Sequence, residues 1–315
     1  MRRMKLLRLL AAFAATPWAM MPDRLEAAAA LLLARANDLP TGFVSSIEGF
    51  AGGIDAAAPG SGSAKPAGVV AVIPVFGVIS HRAHMVADIC GPGGTSTEML
   101  QQTIRGAVND PNVKAIVLDI DSPGGSVFGV QELADEIFAA RNAKPILASA
   151  NSLAASAAYW IGAAASELHV TPSGEVGSIG VFATHVDKSK SQELQGLKTT
   201  LISAGKYKTE GNSLAPLDPE AMASIQSRVN DYYDAFTRDV ARFRGAPVAD
   251  VRGGFGEGRT VGAKQAVADG MADGVATLDE VITRAAKLAR QNERQAGAGS
   301  SRALAETRIR IAGAL

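Results

Sequence analysis

Cysteine is almost missing from this chain: Cys90 is the only one in 315 residues, which excludes an intrachain disulfide framework and a multi-cysteine metal site. With no base near it in sequence, Cys90 reads as a packing residue rather than a nucleophile. Histidine is scarce too. His81, His84, His169 and His185 form no H-E-x-x-H or Cys/His pattern, and the i, i+3 pair His81 and His84 has no third ligand, so neither metal nor cofactor is expected. No charge of one sign dominates, with 31 Lys plus Arg against 31 Asp plus Glu, and aromatic residues make up 5%. A chain with neither a basic field nor stacking platforms is not expected to bind nucleic acid. Long apolar runs are absent as well, since no stretch approaches the ~20 residues of a membrane span. Arg2, Arg3, Lys5 and Arg8 precede the apolar Leu9–Ala15 and imitate a secretory signal, but the apolar core is short and Arg8 adjoins it. Pro22 to Leu33 then reads as an amphipathic helix in a cytoplasmic arm. A true signal sequence would instead place the chain at the inner membrane or in the periplasm.

What the sequence does have is enough apolar residue, 47%, for a substantial core. Gly49 to Gly68, rich in Gly, Ala, Ser and Pro, reads as a flexible linker. Beyond it, Val69–Ile73 and Val75–Ile79 are apolar runs rich in β-branched residues, expected as strand interrupted at Pro74. Thr95 and Glu98 form a T-x-x-E capping box ahead of a helix over about 96–108. Ala115–Ile120 and Pro145–Ala150 are short buried strands, separated by a helix carrying Val130, Leu133 and Ile137. Strands are also expected at Leu168–Thr171, Ile179–Ala183 and Thr199–Ser203. Asp218-Pro219-Glu220 opens a long amphipathic helix that ends near Gly245. This alternation predicts an α/β fold of repeated βαβ units with a largely parallel sheet, plus a helical N-terminal arm. The expected divisions are 1–48 arm, 49–68 linker, 69–285 main domain and 286–315 tail.

Three turns at strand ends stand where open α/β sheets build sites. Asp121-Ser122-Pro123-Gly124-Gly125-Ser126 is either a tight turn with a serine cap or a strip of exposed backbone N–H groups. In the second, Asn151-Ser152-Leu153-Ala154-Ala155-Ser156-Ala157-Ala158-Tyr159-Trp160, small residues flank Ser156; a serine at an Ala-rich helix start is more often a cap, and the other reading is a nucleophile. The third, Gly177-Ser178-Ile179-Gly180, is followed about 25 residues on by Ala204-Gly205-Lys206-Tyr207-Lys208-Thr209.

Together, S-P-G-G, A-A-S-A-A-Y-W, G-S-I-G-V and S-A-G-K-Y-K resemble the signal peptide peptidase A family of Ser-Lys peptidases. The likeness runs from about 69 to 280 and includes G-R-T-V-G-A-K-Q-A-V-A-D-G-M-A-D-G. It implies the crotonase and Clp-protease superfamily fold. A-A-S-A-A-Y-W, T-H-V-D-K-S, K-Y-K-T-E-G-N and the early T-P-W-A-M-M-P-D-R-L-E are similar to the phage branch, the protein C-like capsid maturation proteases. The resemblance implies Ser156 as nucleophile, Lys208 as general base, Ser178 as the hydroxyl that orients the lysine, and the N–H groups of Gly125 and Ala157 as oxyanion hole. A lysine can take the serine proton only if burial lowers its pKa from ~10.4. Lys208 and Lys206 would face opposite ways on an extended segment, with Lys206 solvated. Ala157 stands where signal peptide peptidases have glycine, which restricts φ and would reshape the hole.

The resemblance further implies a protein or peptide substrate and a homo-oligomeric ring whose dyad is shared between protomers. In a phage setting the partners would be portal, scaffold or capsid proteins in the procapsid, within the bacterial cytoplasm; a secretory enzyme would degrade signal peptides at the membrane. Three rivals remain: a Ser-His-Asp triad using His185 and Asp187, an acyl-CoA enzyme of the same superfamily, and a non-catalytic capsid assembly protein. The triad leaves S-A-G-K-Y-K unexplained, the CoA reading gives Ser156 and Lys208 no role, and the assembly reading does not explain the four site motifs.

Overall fold

The computed structural model describes residues 16–22, 25, 65–67, 70–82 and 94–294. The signal-like segment, most of the expected arm and linker, His84, Cys90 and the last 21 residues lie outside them. In chain order the elements are β1 (Trp18–Met20), β2 (Lys65–Ala67), β3 (Val70–Phe76), β4 (Ile79–Ser80) and β5 (Thr95–Ser96). There follow α1 (Thr97–Asn109), β6 (Ala115–Ser122), β7 (Gly124–Ser126), α2 (Val130–Ala140), β8 (Ile146–Ala155) and α3 (Ala157–Ala163). Then come β9 (Glu167–Val170), β10 (Glu175–Gly177), α4 (Ser189–Leu194), α5 (Pro219–Arg244), α6 (Val248–Gly254), β11 (Thr260–Gly262), α7 (Ala263–Ala268) and β12 (Gly274–Val275). A helix over 278–294, α8, closes the described chain.

The main sheet runs β11-β10-β8-β6-β3-β2, with β9 and β12 branching from β8. Its inner pairs β3–β6, β6–β8, β8–β9 and β8–β10 are all parallel, as continuous apolar runs buried on both faces require. One face of β6, with Ile116, Leu118 and Ile120, packs on Leu100 and Ile104 of α1, Leu133 and Ile137 of α2, and Trp160 of α3. The other face, with Ala115 and Val117 of β6 and Leu147 of β8, packs with Val281, Ala285 and Ala289 of α8. A smaller sheet, β1-β7-β4-β5, lies at the strand ends. Among the described residues, no helix is long and apolar enough to cross a membrane.

Several expectations shift. Pro74 does not break its strand: β2 pairs β3 only at Val70–Val72, so a residue without an N–H is tolerated beyond that edge. Residues 65–67, expected as linker, are therefore a strand. The cap of α1 is Ser96, whose hydroxyl accepts from the Met99 N–H, not Thr95. Residues 179–183 and 199–203 carry apolar residues but form no strand; Phe182 makes only an isolated bridge to Trp18, and Ile202 is 96% exposed. The long helix starts as expected, with Asp218 accepting from Ala221 N–H and Gly245 at its end in the left-handed region. The tail expected from 286 is helical to 294, and Ala289 is buried.

Candidate active site

The site begins with an irregularity in β8. Ile120 pairs with Ala150, but Ser122 pairs with Ala154, so two extra residues bulge from β8. Leu147–Ala150 lie beside β9, whereas Leu153–Ala155 lie beside β10. Such a bulge re-aims the end of a strand. Ser152 within it has φ 118°, and Ser156 just past it has φ 56° and ψ −118°. Positive φ in a non-glycine residue costs about 1–3 kcal/mol and persists only where the surroundings impose it. Among the described residues four non-glycines have positive φ, and three are Ser152, Ser156 and Ser178; the strain is concentrated in the turns that the sequence motifs mark.

What imposes it is visible on each side of Ser156. Its N–H donates to Gly177 C=O at 2.7 Å, and the next residue, Ser178, donates from its N–H to Arg259 C=O at 2.8 Å. On the other side the buried helix α3 starts at Ala157, and all seven of its residues are buried. Trp160 anchors it by stacking on Phe236 at 4.5 Å and donating from Nε1 to Asp239 at 3.1 Å. Ser156 occupies the N-cap position yet makes no side-chain cap bond; its Oγ lies 3.5 Å from Gly180 C=O. The capping reading of Ser156 thus fails on geometry. The first intrahelical bond is Trp160 N–H to Ser156 C=O at 3.0 Å, which leaves Ala157 N–H among the donors with no partner inside the helix.

Opposite Ser156 stands β7. The Ser122 hydroxyl donates to Gly77 C=O at 2.6 Å and accepts from Gly124 N–H at 3.2 Å, pinning the turn. Gly125 is there because nothing larger fits: a Cβ would sit 1.8 Å from Ile79 O. At Gly124, with φ 94°, a Cβ would lie 2.3 Å from Ala19 O and 3.0 Å from Ser156 Cβ. The strand of glycines therefore runs directly against the serine.

Lys208 is placed differently. It is exposed, in a run of turns over 204–211 rather than the extended segment expected. Among the described residues its side chain has no hydrogen bond or ion pair, and nothing joins it to Ser156. Lys206 donates from Nζ to Glu220 and to the Tyr207 hydroxyl, both at 2.8 Å. The Glu220 hydrogen bond raises its pKa, the wrong direction for a general base. His185 Nε2 lies 3.0 Å from Asn212 C=O, and Asp187 accepts from Ser189 N–H, so the triad pair is engaged away from Ser156. Among the described residues no cluster of His, Cys, Asp or Glu suits a metal.

One part of the site was not foreseen from the sequence. β1 pairs antiparallel with β7, in the register Trp18 to Ser126, Ala19 to Gly125 and Met20 to Gly124. The signal was a buried-type residue, Trp18, followed by Ala19 and Met20 between Pro17 and Pro22, an extended run bounded by prolines rather than helix.

A strained serine between a bulged parallel strand and a buried helix, facing a glycine strand, defines an α/β protein with a serine site at the end of a parallel strand. Residues 139–292 match the model of peptidase family S49. The chain is 32% identical over 214 residues to capsid assembly protease C of Escherichia phage lambda, covering 68% of this chain and 48% of that protein. Head-tail preconnector protein GP5 of Enterobacteria phage P21 is 31% identical over 240 residues, 74% of this chain and 47% of that one. Protease 4 of Salmonella typhi is 31% identical over 237 residues, covering 72% and 36%. The chain spans about half the length, or less, of these curated relatives.

Proposed function

We propose that this chain is a serine endopeptidase in which Ser156 attacks the peptide carbonyl and Lys208 of a neighbouring protomer is the general base. The observation that carries the nucleophile is the backbone at Ser156: a strained φ in a buried N-cap serine whose hydroxyl does no capping. Gly125 N–H and Ala157 N–H would receive the oxyanion, each such donor being worth about 2.7–4 kcal/mol in the transition state. The reaction passes the serine proton to the lysine amine, forms the acyl-enzyme, and returns the proton to the leaving amine; water then releases the acyl group. Ser178, fixed in the turn that accepts the Ser156 N–H, would orient the lysine.

The location of Lys208 supports a shared site. A lysine works as a base only when desolvated, and Lys208 lies on an exposed segment that also exposes Leu194 at 90% and Ile202 at 96%. Apolar residues presented in this way mark a surface that a partner covers. The names of the two phage relatives, a capsid assembly protease and a head-tail preconnector protein, favour capsid proteins as substrates, with portal and scaffold proteins of the procapsid proposed beside them. The test is covalent: an acylating serine-protease inhibitor should add one mass equivalent on Ser156 and none in Ser156→Ala. An unmodified wild-type chain under conditions where it cleaves protein would remove Ser156 from the reaction.

A further inference from the structure

The residues around Ser156 are not open to a substrate, because the chain's own strand already lies there. Ser156 is 1% exposed, and Trp18, Ala19 and Met20 above it are 2%, 0% and 2% exposed. β1 is held along both edges. On one side it pairs with β7; on the other, Trp18 N–H donates to Phe182 C=O at 2.9 Å and Phe182 N–H donates to Trp18 C=O at 3.0 Å. An extended peptide added to the edge of a strand is how proteins bind peptides by strand addition.

The register identifies which peptide bond faces the serine. Met21 N–H donates to Pro123 C=O at 3.2 Å, and Val127 N–H to Pro17 C=O at 3.5 Å. In an antiparallel ladder, hydrogen-bonded pairs alternate with non-bonded ones. Ala19 and Gly125 are therefore the bonded pair between those two, and Gly125 N–H is directed at the Ala19 carbonyl. Ala19 O and Ser156 Cβ also flank one point, the position a Gly124 Cβ would take, at 2.3 and 3.0 Å. The carbonyl opposite the assigned oxyanion donor and beside the nucleophile is that of Ala19.

We infer that Thr16–Met21 is a built-in substrate, which blocks the cleft and is cut by Ser156 between Ala19 and Met20. The inference rests on the serine-peptidase reading and adds to it a self-cleavage site and a latent state. In the step, Ser156 Oγ bonds to the Ala19 carbonyl carbon, the Ala19–Met20 C–N bond breaks, and the serine proton leaves on the Met20 amine. Water then splits the ester, its hydroxyl going to the Ala19 carboxyl and its hydrogen restoring Ser156. A small residue is what this position accepts, since Ala19 is fully enclosed.

Two measurements on the full chain test it. Intact mass of the wild type after incubation should show a product starting at Met20, and Ser156→Ala should keep its strand. A fluorophosphonate probe should label Ser156 at least tenfold faster in Ala19→Pro, which cannot donate a ladder hydrogen bond, than in uncut wild type. Trp18→Ala, which loosens the same strand by removing a buried indole, serves if the proline variant melts. Equal labelling in all three chains, with wild type cleaving protein while its Ala19–Met20 bond stays intact, overturns the built-in substrate and leaves the peptidase standing. Labelling in none removes the nucleophile, and the self-cleavage with it.

Discussion

The two halves of the proposed dyad sit in regions built on opposite principles. Ser156 stands on a platform of β6, β8 and α3 in which nearly every residue is buried and the backbone is held in strained conformations by named hydrogen bonds. Lys208 stands on the segment 184–218, mostly exposed, whose only helix is the six-residue α4 and in which no residue of α4 is buried. The platform needs nothing further to exist. The lysine segment carries Val186, Leu194, Leu197, Leu201, Ile202 and Tyr207 on its outside, an arrangement an isolated chain gains nothing from. The difference teaches that strain and burial mark the proposed nucleophile within one chain, whereas the base proposed to come from a partner shows only as unpaired exposure.

Substitutions separate the regions. Ser156→Ala and Lys208→Ala should each lower kcat by about 10⁴-fold or more, measured on a denatured protein substrate, while the melting temperature of the Lys208 variant stays that of wild type. A Lys208→Ala chain with most of its activity would break the dyad. Next in size, Trp160→Ala removes the stack on Phe236 and the bond to Asp239 and should cost about 3–5 kcal/mol in denaturant unfolding. The double change Leu194→Ser and Ile202→Ser on the exposed segment should alter monomer stability by less than about 0.5 kcal/mol, yet shift sedimentation toward smaller species. No change in assembly would count against that segment as an interface.

Much of the platform was legible beforehand, because parallel strands announce themselves as short apolar runs and glycine turns mark their ends. The motifs at Gly125, Ser156 and Ser178 fall in one place for that reason. The failures have physical causes. Leu201 and Ile202 look like strand because an apolar run reads the same on an exposed segment as in a core, and residues 16–21 read as part of an arm because a three-residue strand has too few positions to show a period. The bulge in β8 could not be read at all: register depends on what β6 and β10 offer, not on the sequence of β8.

The smallest effect concerns α8, which covers the second face of the main sheet. Arg284 donates to Glu167 and holds that carboxyl below its usual range. A carboxylate depressed on folding adds stability above its unfolded pKa, ~4.3, and loses it as pH falls through the lower folded value. Arg284 is half exposed, so the gain is at most about 1 kcal/mol. Hydrogen exchange of the 278–294 amides should quicken relative to β6 as pH drops below about 4, after correction for intrinsic rates, and Arg284→Ala should remove that dependence. An unchanged profile in the variant would assign the docking to Val281, Ala285 and Ala289 alone.

The shared dyad is tested most directly by mixing inactive Ser156→Ala and Lys208→Ala chains, reassembling them, and verifying mixed assemblies by mass. With Ser156 and Lys208 drawn from adjacent protomers, about a quarter of the junctions in a random equimolar ring regain both groups, and activity should rise well above either parent. Verified mixed assemblies with no activity above the parents would contradict a site made by two chains.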